Sequence, residues 1–356
     1  MSTNNKKLTI LITGGAGYVG AMLCDQFSQR SDVKEIIAID KEPMPDFLKD
    51  NKKIFYLQNN TSDKKWQDLA SIKNPDVVIH TAWQIREMYG DQKTQWLWNI
   101  DGSSDVFDFA FRTPSVKKLV HFSTVSSYGA YPTNTFEDVF TEDKPFREDE
   151  YLYGVEKKVA EKNLKEKYDK VNARGEAPQV FIVRPAAITG PRGRFMRVRF
   201  GLQAALSGQL KETFLQKTIS VLVSFVPVTK GWVRQFIHED DVCDLVTLFT
   251  FNDLEGEYEV FNISPPGKPV FGKEMAEAVG KKTLPIFPWM VRLAFFLFWH
   301  LTRGKVPTSR GGWKFYSYPI VVDGSKLTRQ YSYEYQFQSR QAFVDKTQGR
   351  YSKYIK

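Results

Sequence analysis

The sequence predicts an α/β fold in which helices cover both faces of a parallel sheet. Short apolar segments rich in β-branched residues alternate with helical patterns through the first half of the chain. The first segment, LTILIT at 8–13, runs directly into a glycine-rich turn and then into a helical pattern. Because parallel strands need crossover connections, this alternation is typical of βαβ units.

The glycine-rich turn TGGAGYVG at 13–20 has the spacing of a dinucleotide-binding turn. Glycine allows positive φ angles and lets the backbone approach a pyrophosphate closely. The N-terminus of the following helix offers unpaired N–H groups to the same anion. A second strand over 35–39 then ends on Asp40, where an acidic residue holds an adenosine ribose. We therefore favour a dinucleotide site at Gly14 and Gly17 over a glycine turn without a ligand.

Further strands are predicted over 54–58, 76–82, 117–124, 179–184 and 258–263, with helices that open near 64 and 99. Ligands in such sheets bind beyond the carboxyl ends of the strands. Thr81 and Ala82, and likewise Ser123 and Thr124, should therefore face the site. His80 closes a buried strand, and we expect it to be a hydrogen-bonded scaffold residue rather than a catalytic one.

The alternation of strands and helices fades after Pro185. A loop rich in glycine, proline and arginine over 189–194 opens an irregular region that extends to about residue 231. A strand and a helix N-terminus are predicted again over 235–242, because three acidic residues there complement the positive end of a helix dipole.

The composition is that of an ordinary soluble globular protein, with 42% hydrophobic and 26% charged residues in a chain of 356. The net charge is +9, but the 50 lysine and arginine residues are scattered among 41 acidic residues, so we expect no nucleic-acid partner. The basic balance suits an anionic substrate or an anionic membrane surface instead. Cys24 and Cys243 lie in helical patterns and suggest a reduced environment. Residues 1–7 lack the apolar core of a signal peptide, so we expect a cytoplasmic protein.

The stretch 286–301 stands apart because it is apolar nearly all round. Pro288 suits the first position of a helix. Arg292 and His300 interrupt the run, which falls short of about 20 apolar residues, so we expect no membrane-spanning helix. Two alternatives stay open: a helix buried in the protein, or a helix in a membrane interface. Four basic residues flank the stretch: Lys281, Lys282, Arg303 and Lys305.

Tyr153 and Lys157 lie four residues apart in a predicted helix and so share one helix face. A lysine ammonium beside a phenol favours the phenolate, which would lower the pKa of the phenol from about 10 toward working pH. Such a phenol is a general acid and base for a secondary alcohol and its ketone. The spacing alone is a weak signal, since Tyr and Lys often form an exposed helix face. Its position after a strand that ends in the hydroxyls of Ser123 and Thr124 favours catalysis.

Together these segments resemble an extended short-chain dehydrogenase/reductase of the NAD-dependent epimerase/dehydratase family. The matching pieces stand in the family's order over about two thirds of the chain: TGGAGYVG at 13–20, Asp40, DVVIHTA at 76–82, Asn99 in NIDGS, STVSSYG at 123–129, EDKP at 142–145, YGVEK at 153–157, RPAAITGP at 184–191 and RQFIHEDDV at 234–242. The resemblance implies a Rossmann-type doubly wound parallel sheet and a smaller, mostly C-terminal substrate domain. It assigns residues 1–185 and 235–263 to the NAD-binding domain and residues 186–234 and 264–356 to the substrate-binding domain.

The resemblance also implies the roles of individual residues. The catalytic residues would be Thr124, Tyr153 and Lys157, with Thr124 rather than Ser123 placed by the Tyr128-Gly129 end of its motif. The residues that would bind NAD are Gly14, Gly17, Tyr18, Val19, Asp40, Ala82, Asn99, Tyr153 and Lys157. The substrate would be bound by Ser123, Thr124 and Arg234, and no metal is implied.

The reaction within the family is less sharply indicated. Related 4,6-dehydratases of nucleotide-sugars carry an Asp-Glu pair directly after the catalytic threonine, whereas this chain has Val125 and Ser126 there. Arg234 stands where nucleotide-sugar epimerases place an arginine on the substrate diphosphate, although a surface ion pair is the alternative. The apolar stretch near residue 290 resembles instead the C-terminal membrane segment of 3β-hydroxysteroid-dehydrogenase-like relatives.

We therefore expect an NAD-dependent epimerase that acts on a secondary alcohol of a nucleotide-sugar. The alternative is an oxidoreductase for a lipid or sterol-like alcohol. A non-catalytic NAD-binding scaffold is disfavoured, because it has no use for Thr124, Tyr153 and Lys157. A peripheral membrane contact through 286–301 and a homodimer both stay open.

Overall fold

The structure is a computed structural model that describes residues 6–192, 225–278, 280–344 and 349–350. Most of the irregular region expected after the loop at 189–194 lies outside the described residues. The strands are β1 (Leu8–Thr13), β2 (Val33–Asp40), β3 (Ile54–Gln58), β4 (Val77–His80), β5 (Lys118–Phe122), β6 (Gln179–Pro185), β7 (Ala187–Thr189), β8 (Phe225–Val228), β9 (Val233–Arg234), β10 (Phe236–His238), β11 (Tyr258–Ile263), β12 (Val270–Phe271) and β13 (Lys282–Pro285).

The helices connect these strands and cover the sheet that they form. The α-helices are α1 (Tyr18–Ser28), α2 (Lys65–Ile72), α3 (Gln92–Trp96), α4 (Gly102–Arg112), α5 (Leu152–Asn172), α6 (Glu239–Phe251), α7 (Gly272–Ala278), α8 (Pro288–Leu301), α9 (Lys326–Tyr331) and α10 (Ser339–Val344). The shorter helical turns are Asp46–Leu48, Leu97–Asp101, Val125–Tyr128 and Gly312–Tyr316.

Seven strands form the central sheet, in the order β3-β2-β1-β4-β5-β6-β11. Every neighbouring pair in this sheet is parallel. The order reverses direction at β1, which is the arrangement of a doubly wound sheet, and ligands bind at such a reversal. The predicted fold class is confirmed.

The two faces of the sheet carry separate hydrophobic cores because successive strand residues point to opposite faces. Ile10 and Ile12 of β1 pack with α1 and α6, whereas Leu11 packs with α2, α4 and α5. Burial on both faces explains why the sequence shows continuous apolar runs instead of an alternating pattern. The thiols of Cys24 and Cys243 are free and lie in the first of these cores.

The helix that was expected to open at Asn99 starts earlier. Asp91 caps α3, and its carboxylate accepts a hydrogen bond from the Thr94 N–H at 3.3 Å. Asn99 then lies in the π-helical turn Leu97–Asp101, between α3 and α4. The sequence reading missed the cap because the residues after Asp91 are polar and carry no apolar periodicity.

Helix α8 begins at Pro288, as predicted, and packs against the turn Gly312–Tyr316. Only Val291 within α8 is buried. The large apolar side chains that are exposed along this stretch are Phe287, Trp289, Met290, Leu293, Phe296, Leu297 and Leu301. The alternative of a helix buried in the protein is therefore wrong, because most of the apolar side chains of α8 are not buried. Within the described residues, no helix is long and apolar enough to cross a membrane.

Candidate active site

The carboxyl ends of the parallel strands open into a cavity of about 720 Å³. Every residue to which the sequence assigned a role lines this cavity: Gly14, Gly17, Tyr18, Val19, Asp40, Ala82, Asn99, Ser123, Thr124, Tyr153, Lys157 and Arg234. They come together because parallel strands present their carboxyl ends at one edge of the sheet. The placement makes each assigned role geometrically feasible, and the roles themselves stay predictions.

The glycine turn between β1 and α1 leaves no room for side chains at two positions. Gly14 has a φ of 78°, and a Cβ atom there would lie 2.6 Å from Thr81 Oγ1. A Cβ atom on Gly20 would lie 2.1 Å from the Gly14 carbonyl oxygen. Gly17 caps α1, whose first N–H groups have no acceptor within the helix. The turn and the helix N-terminus together fit the pyrophosphate of a dinucleotide.

Asp40 is held rigidly at the end of β2. Its carboxylate accepts hydrogen bonds from the N–H groups of Ala16 at 3.0 Å and Glu42 at 2.9 Å. The neighbouring Lys41 pairs with Glu42, and its ammonium lies 5.1 Å from the ring centroid of Trp98. This arrangement suits a ribose hydroxyl at Asp40, because the cation that a 2′-phosphate would need is already engaged.

Three buried polar atoms in residues of the cavity wall lack a hydrogen-bond partner in the described part of the chain. They are Ser123 Oγ, Asn59 Oδ1 and Trp83 Nε1. Leaving such groups unpaired is costly, and a polar ligand in the cavity would satisfy them. The residues present therefore fit a bound dinucleotide and an oxygen-rich substrate.

Thr124 and Tyr153 both line the cavity, and their hydroxyl groups interact. Burial raises the pKa of Tyr153 to about 12, and only the hydrogen bond from Thr124 opposes that rise. The Thr124 hydroxyl oxygen also accepts from the Ser126 N–H at 3.2 Å, which fixes its orientation. The expected lowering of the phenol pKa by Lys157 is therefore wrong for the structure as it stands.

Lys157 is directed elsewhere, which explains that difference. Its ammonium donates to the Phe122 carbonyl oxygen and lies 3.5 Å from the ring centroid of Trp83. Burial lowers the pKa of Lys157 well below its ordinary value, although the carboxylates of Glu161 and Glu156 oppose this. A neighbour with a weakened charge does little to stabilise a phenolate.

Glu156 is a site residue that the sequence reading missed. Its Oε2 accepts from Asn99 Nδ2 at 2.6 Å and from Gln95 Nε2 at 3.1 Å, and burial raises its pKa to about 7. Asn99 also holds both backbone polar groups of Gln84, so Glu156 braces the loop after β4 that carries Trp83. Spacing could have revealed it, because residues 153, 156 and 157 share one helix face.

Arg234 lies at the end of β9, on the wall of the cavity. Its guanidinium carbon lies 5.0 Å from the ring centroid of Tyr316. It makes no ion pair with another described residue, so the alternative of a surface ion pair finds no support there. An arginine that is stacked on an aromatic ring and free of carboxylates suits an anionic substrate.

His80 has the scaffold role that was expected of it. It hydrogen-bonds Thr13 Oγ1 at 2.6 Å and Ser103 Oγ at 2.8 Å. Burial lowers the pKa of His80 to about 3, so the ring is neutral and ties β1 and β4 to α4.

Comparison with known proteins shows which group of enzymes shares these features. A family model described as the NAD dependent epimerase/dehydratase family matches residues 10–264. The sterol-4-alpha-carboxylate 3-dehydrogenase of Candida albicans is 29% identical over 196 residues, which cover 52% of each chain. The dTDP-4-dehydro-6-deoxyglucose reductase of Escherichia coli is 24% identical over 288 residues, which cover 77% of this chain and 81% of that one. The chain spans about half the length of the first curated relatives that it matches.

Among solved structures, the enzyme WbmG of Bordetella bronchiseptica in complex with NAD and UDP is similar in fold. The TM-score is 0.70 at 21% identity, and the match covers 100% of this chain and 97% of that one.

Proposed function

The chain belongs to the NAD-dependent epimerase/dehydratase family, and from that premise we propose that it is an epimerase of a nucleotide-sugar. The reaction would oxidise a secondary alcohol transiently to a ketone and reduce it again on the other face. Residues 1–185 and 235–263 would bind NAD, and residues 186–234 and 264–356 would bind the substrate. A small-molecule substrate in the cavity is the partner that this proposal requires.

The chain's own groups would handle the proton and the orientation of the substrate. NAD, when bound at the glycine turn and Asp40, supplies the acceptor and later the donor of the hydride. Tyr153 would take the hydroxyl proton of the substrate and return it. Thr124 would hold the substrate oxygen in line with that phenol. Lys157, which lines the same cavity four residues after Tyr153, would bind NAD.

Arg234 carries the assignment of the substrate. A planar guanidinium binds a diphosphate through two parallel charge-assisted hydrogen bonds. Its position in the same cavity as Tyr153, without a carboxylate partner among the described residues, supports a substrate with a diphosphate. WbmG, which shares the fold, was crystallised with UDP.

Elimination of water is disfavoured as the reaction. The residues directly after Thr124 are Val125 and Ser126, and neither supplies a carboxylic acid. Epimerisation needs a hydride acceptor such as NAD, the acid and base at Tyr153, and enough room for the ketone to turn over.

A dehydrogenase of a lipid or sterol-like alcohol is the second candidate. The exposed apolar side chains of α8 favour this candidate. The helix also reaches the candidate active site, because its Phe295 lines the cavity. The Candida relative, a sterol dehydrogenase, gives it further support over half of the chain. We also propose a peripheral membrane contact through residues 286–301, which is compatible with either candidate.

Product analysis over a panel of substrates tests the proposal. The enzyme with NAD is incubated with UDP- and dTDP-sugars and separately with apolar secondary alcohols, and the products are separated by chromatography. Isomerisation of at least one sugar, abolished in Tyr153→Phe, is the expected result. Oxidation of an apolar alcohol with no sugar isomerised would overturn the epimerase in favour of the dehydrogenase.

A further inference from the structure

An exposed apolar surface borders the cavity, and we name it the α8 surface. It consists of the exposed apolar side chains of Phe287 to Leu301 together with Ile85 and Tyr89 of the loop after β4. Tyr89 joins the loop to the helix, because its ring centroid lies 5.3 Å from that of Trp299 and its hydroxyl lies 3.2 Å from His300 Nδ1. Large exposed apolar patches mark interaction sites on folded proteins.

The segment that carries α8 has side-chain charges of a single sign. Residues 281–322 contain seven lysine and arginine residues and no aspartate or glutamate: Lys281, Lys282, Arg292, Arg303, Lys305, Arg310 and Lys314. Two of them, Arg310 and Lys314, pair with Glu150. Peripheral helices bind anionic bilayers through this combination of exposed aromatic and aliphatic side chains with flanking cations.

The α8 surface is connected to the cavity by aromatic contacts. Ile85 of this surface lies at the cavity wall, and so does Phe295, a half-buried residue of α8. The ring centroid of Phe295 lies 5.3 Å from that of Tyr316, and the guanidinium carbon of Arg234 lies 5.0 Å from the same Tyr316 centroid. A single ring, that of Tyr316, therefore lies between the proposed diphosphate-binding arginine and Phe295 of the helix that would face the bilayer.

We propose that the sugar is carried on the diphosphate of a membrane lipid and reaches the cavity across the α8 surface. This inference rests on the proposed function, because it keeps the epimerase chemistry and the diphosphate contact of Arg234 and changes only the carrier of the sugar from a nucleotide to a lipid. A nucleotide carrier accounts for Arg234 but gives no role to the contacts that connect the α8 surface to the cavity. An apolar alcohol accounts for the α8 surface but leaves Arg234 without an anion. A lipid diphosphate accounts for both.

Binding of farnesyl diphosphate to the full chain loaded with NAD tests the nature of the carrier. We expect it to bind at least about tenfold more tightly than inorganic diphosphate and than farnesol, because it alone has both the charge and the apolar chain. Arg234→Ala should weaken the binding of farnesyl diphosphate and leave the affinity for farnesol unchanged. Equal affinity for farnesyl diphosphate and inorganic diphosphate would overturn the proposal, and so would equal affinity for farnesyl diphosphate and farnesol.

Flotation with lipid vesicles tests the docking surface. Wild type should float with vesicles of phosphatidylglycerol and phosphatidylcholine, and less with phosphatidylcholine alone. The double variant Leu293→Glu, Phe296→Glu should lose flotation while it retains NAD binding, which shows that it is folded. Ile72→Glu is the matched control, because Ile72 is an exposed apolar residue of α2, far along the chain from α8, and it should float like wild type. No flotation of wild type, or equal flotation of the double variant, would contradict the proposal.

Failure of this inference differs from failure of the proposed function. If the enzyme isomerises a soluble nucleotide-sugar but does not bind farnesyl diphosphate preferentially, the lipid carrier is refuted and the epimerase activity still stands. Preferential binding of farnesyl diphosphate, with flotation but no isomerisation of any sugar on either carrier, supports the carrier and sinks the epimerase.

Discussion

Glu156 accepts a hydrogen bond from Asn99, with 2.6 Å between Glu156 Oε2 and Asn99 Nδ2. The bond joins α5, one residue before Lys157, to the π-helical turn that holds the loop after β4. The carboxyl group of Glu156 thus helps to hold the loop that places the Trp83 ring against the Lys157 ammonium.

The protonation of Glu156 should make stability depend on pH. Burial raises its pKa from 4.5 to about 7, so the folded chain keeps a proton there that the unfolded chain releases. This contribution is fully present below pH 4.5 and is lost as the pH rises toward 7. Glu156→Gln mimics the protonated form, so its free energy of unfolding should rise relative to wild type across this window, by at most about 3 kcal/mol.

Denaturant unfolding at a series of pH values measures that difference. Glu166→Gln, at a more exposed position of the same helix, is the control and should show no such trend. A difference between Glu156→Gln and wild type that stays constant with pH would refute a buried, protonated Glu156.

Tyr153→Phe should retain NAD binding and lose about 10²-fold or more in turnover, the scale for a positioned acid and base. Tyr151 is a second phenol in the cavity wall, and its ring centroid lies 5.9 Å from that of Tyr153. Tyr151→Phe should keep turnover near that of wild type, because the proposed mechanism assigns the substrate proton to Tyr153 and not to Tyr151. Steady-state kinetics with an accepted substrate decides the matter, and near wild-type turnover in Tyr153→Phe would exclude the mechanism.

The cofactor preference should favour NAD over NADP. The carboxylate of Asp40, fixed by the N–H groups of Ala16 and Glu42, would accept from the 2′-hydroxyl of the ribose and repel a 2′-phosphate. Fluorescence titration gives both dissociation constants. Asp40→Asn should narrow the ratio between them, whereas tighter binding of NADP to the wild type would show that Lys41 dominates.

Arg234→Ala should weaken the binding of UDP to the NAD-loaded enzyme by about 1.5–3 kcal/mol, the scale for hydrogen bonds to a charged group. Calorimetric titration measures this loss. Arg310→Ala is a suitable control, because Arg310 is exposed and pairs with Glu150. An unchanged affinity for UDP in Arg234→Ala would contradict the proposal that Arg234 binds the diphosphate of the substrate.

The sequence predicted the part of this molecule that follows from local pattern. Gly14, Asp40 and Thr124 could be placed at one site because each lies at or just after the carboxyl end of a strand, and parallel strands end at one edge. Tyr153 and Lys157 could be paired because helical spacing brings them to one face.

The remaining features depend on tertiary packing, which no local pattern encodes. The contact of Lys157 with Trp83 and the bond of Glu156 to Asn99 join segments that are more than fifty residues apart in the chain. The pKa of Tyr153 follows from burial, not from its spacing to Lys157. The exposure of α8 could not be read from its composition, because buried and interfacial helices are equally apolar.

The fate of the hydride tests the central claim most directly. A nucleotide-sugar or lipid-linked sugar that the enzyme converts is mixed with excess NAD-loaded enzyme, and the absorbance of NADH is followed through a single turnover. An epimerase returns its hydride, so we expect NADH to rise transiently and fall back as the isomer appears. NADH that accumulates in proportion to product and persists would contradict the epimerase and identify a net dehydrogenase.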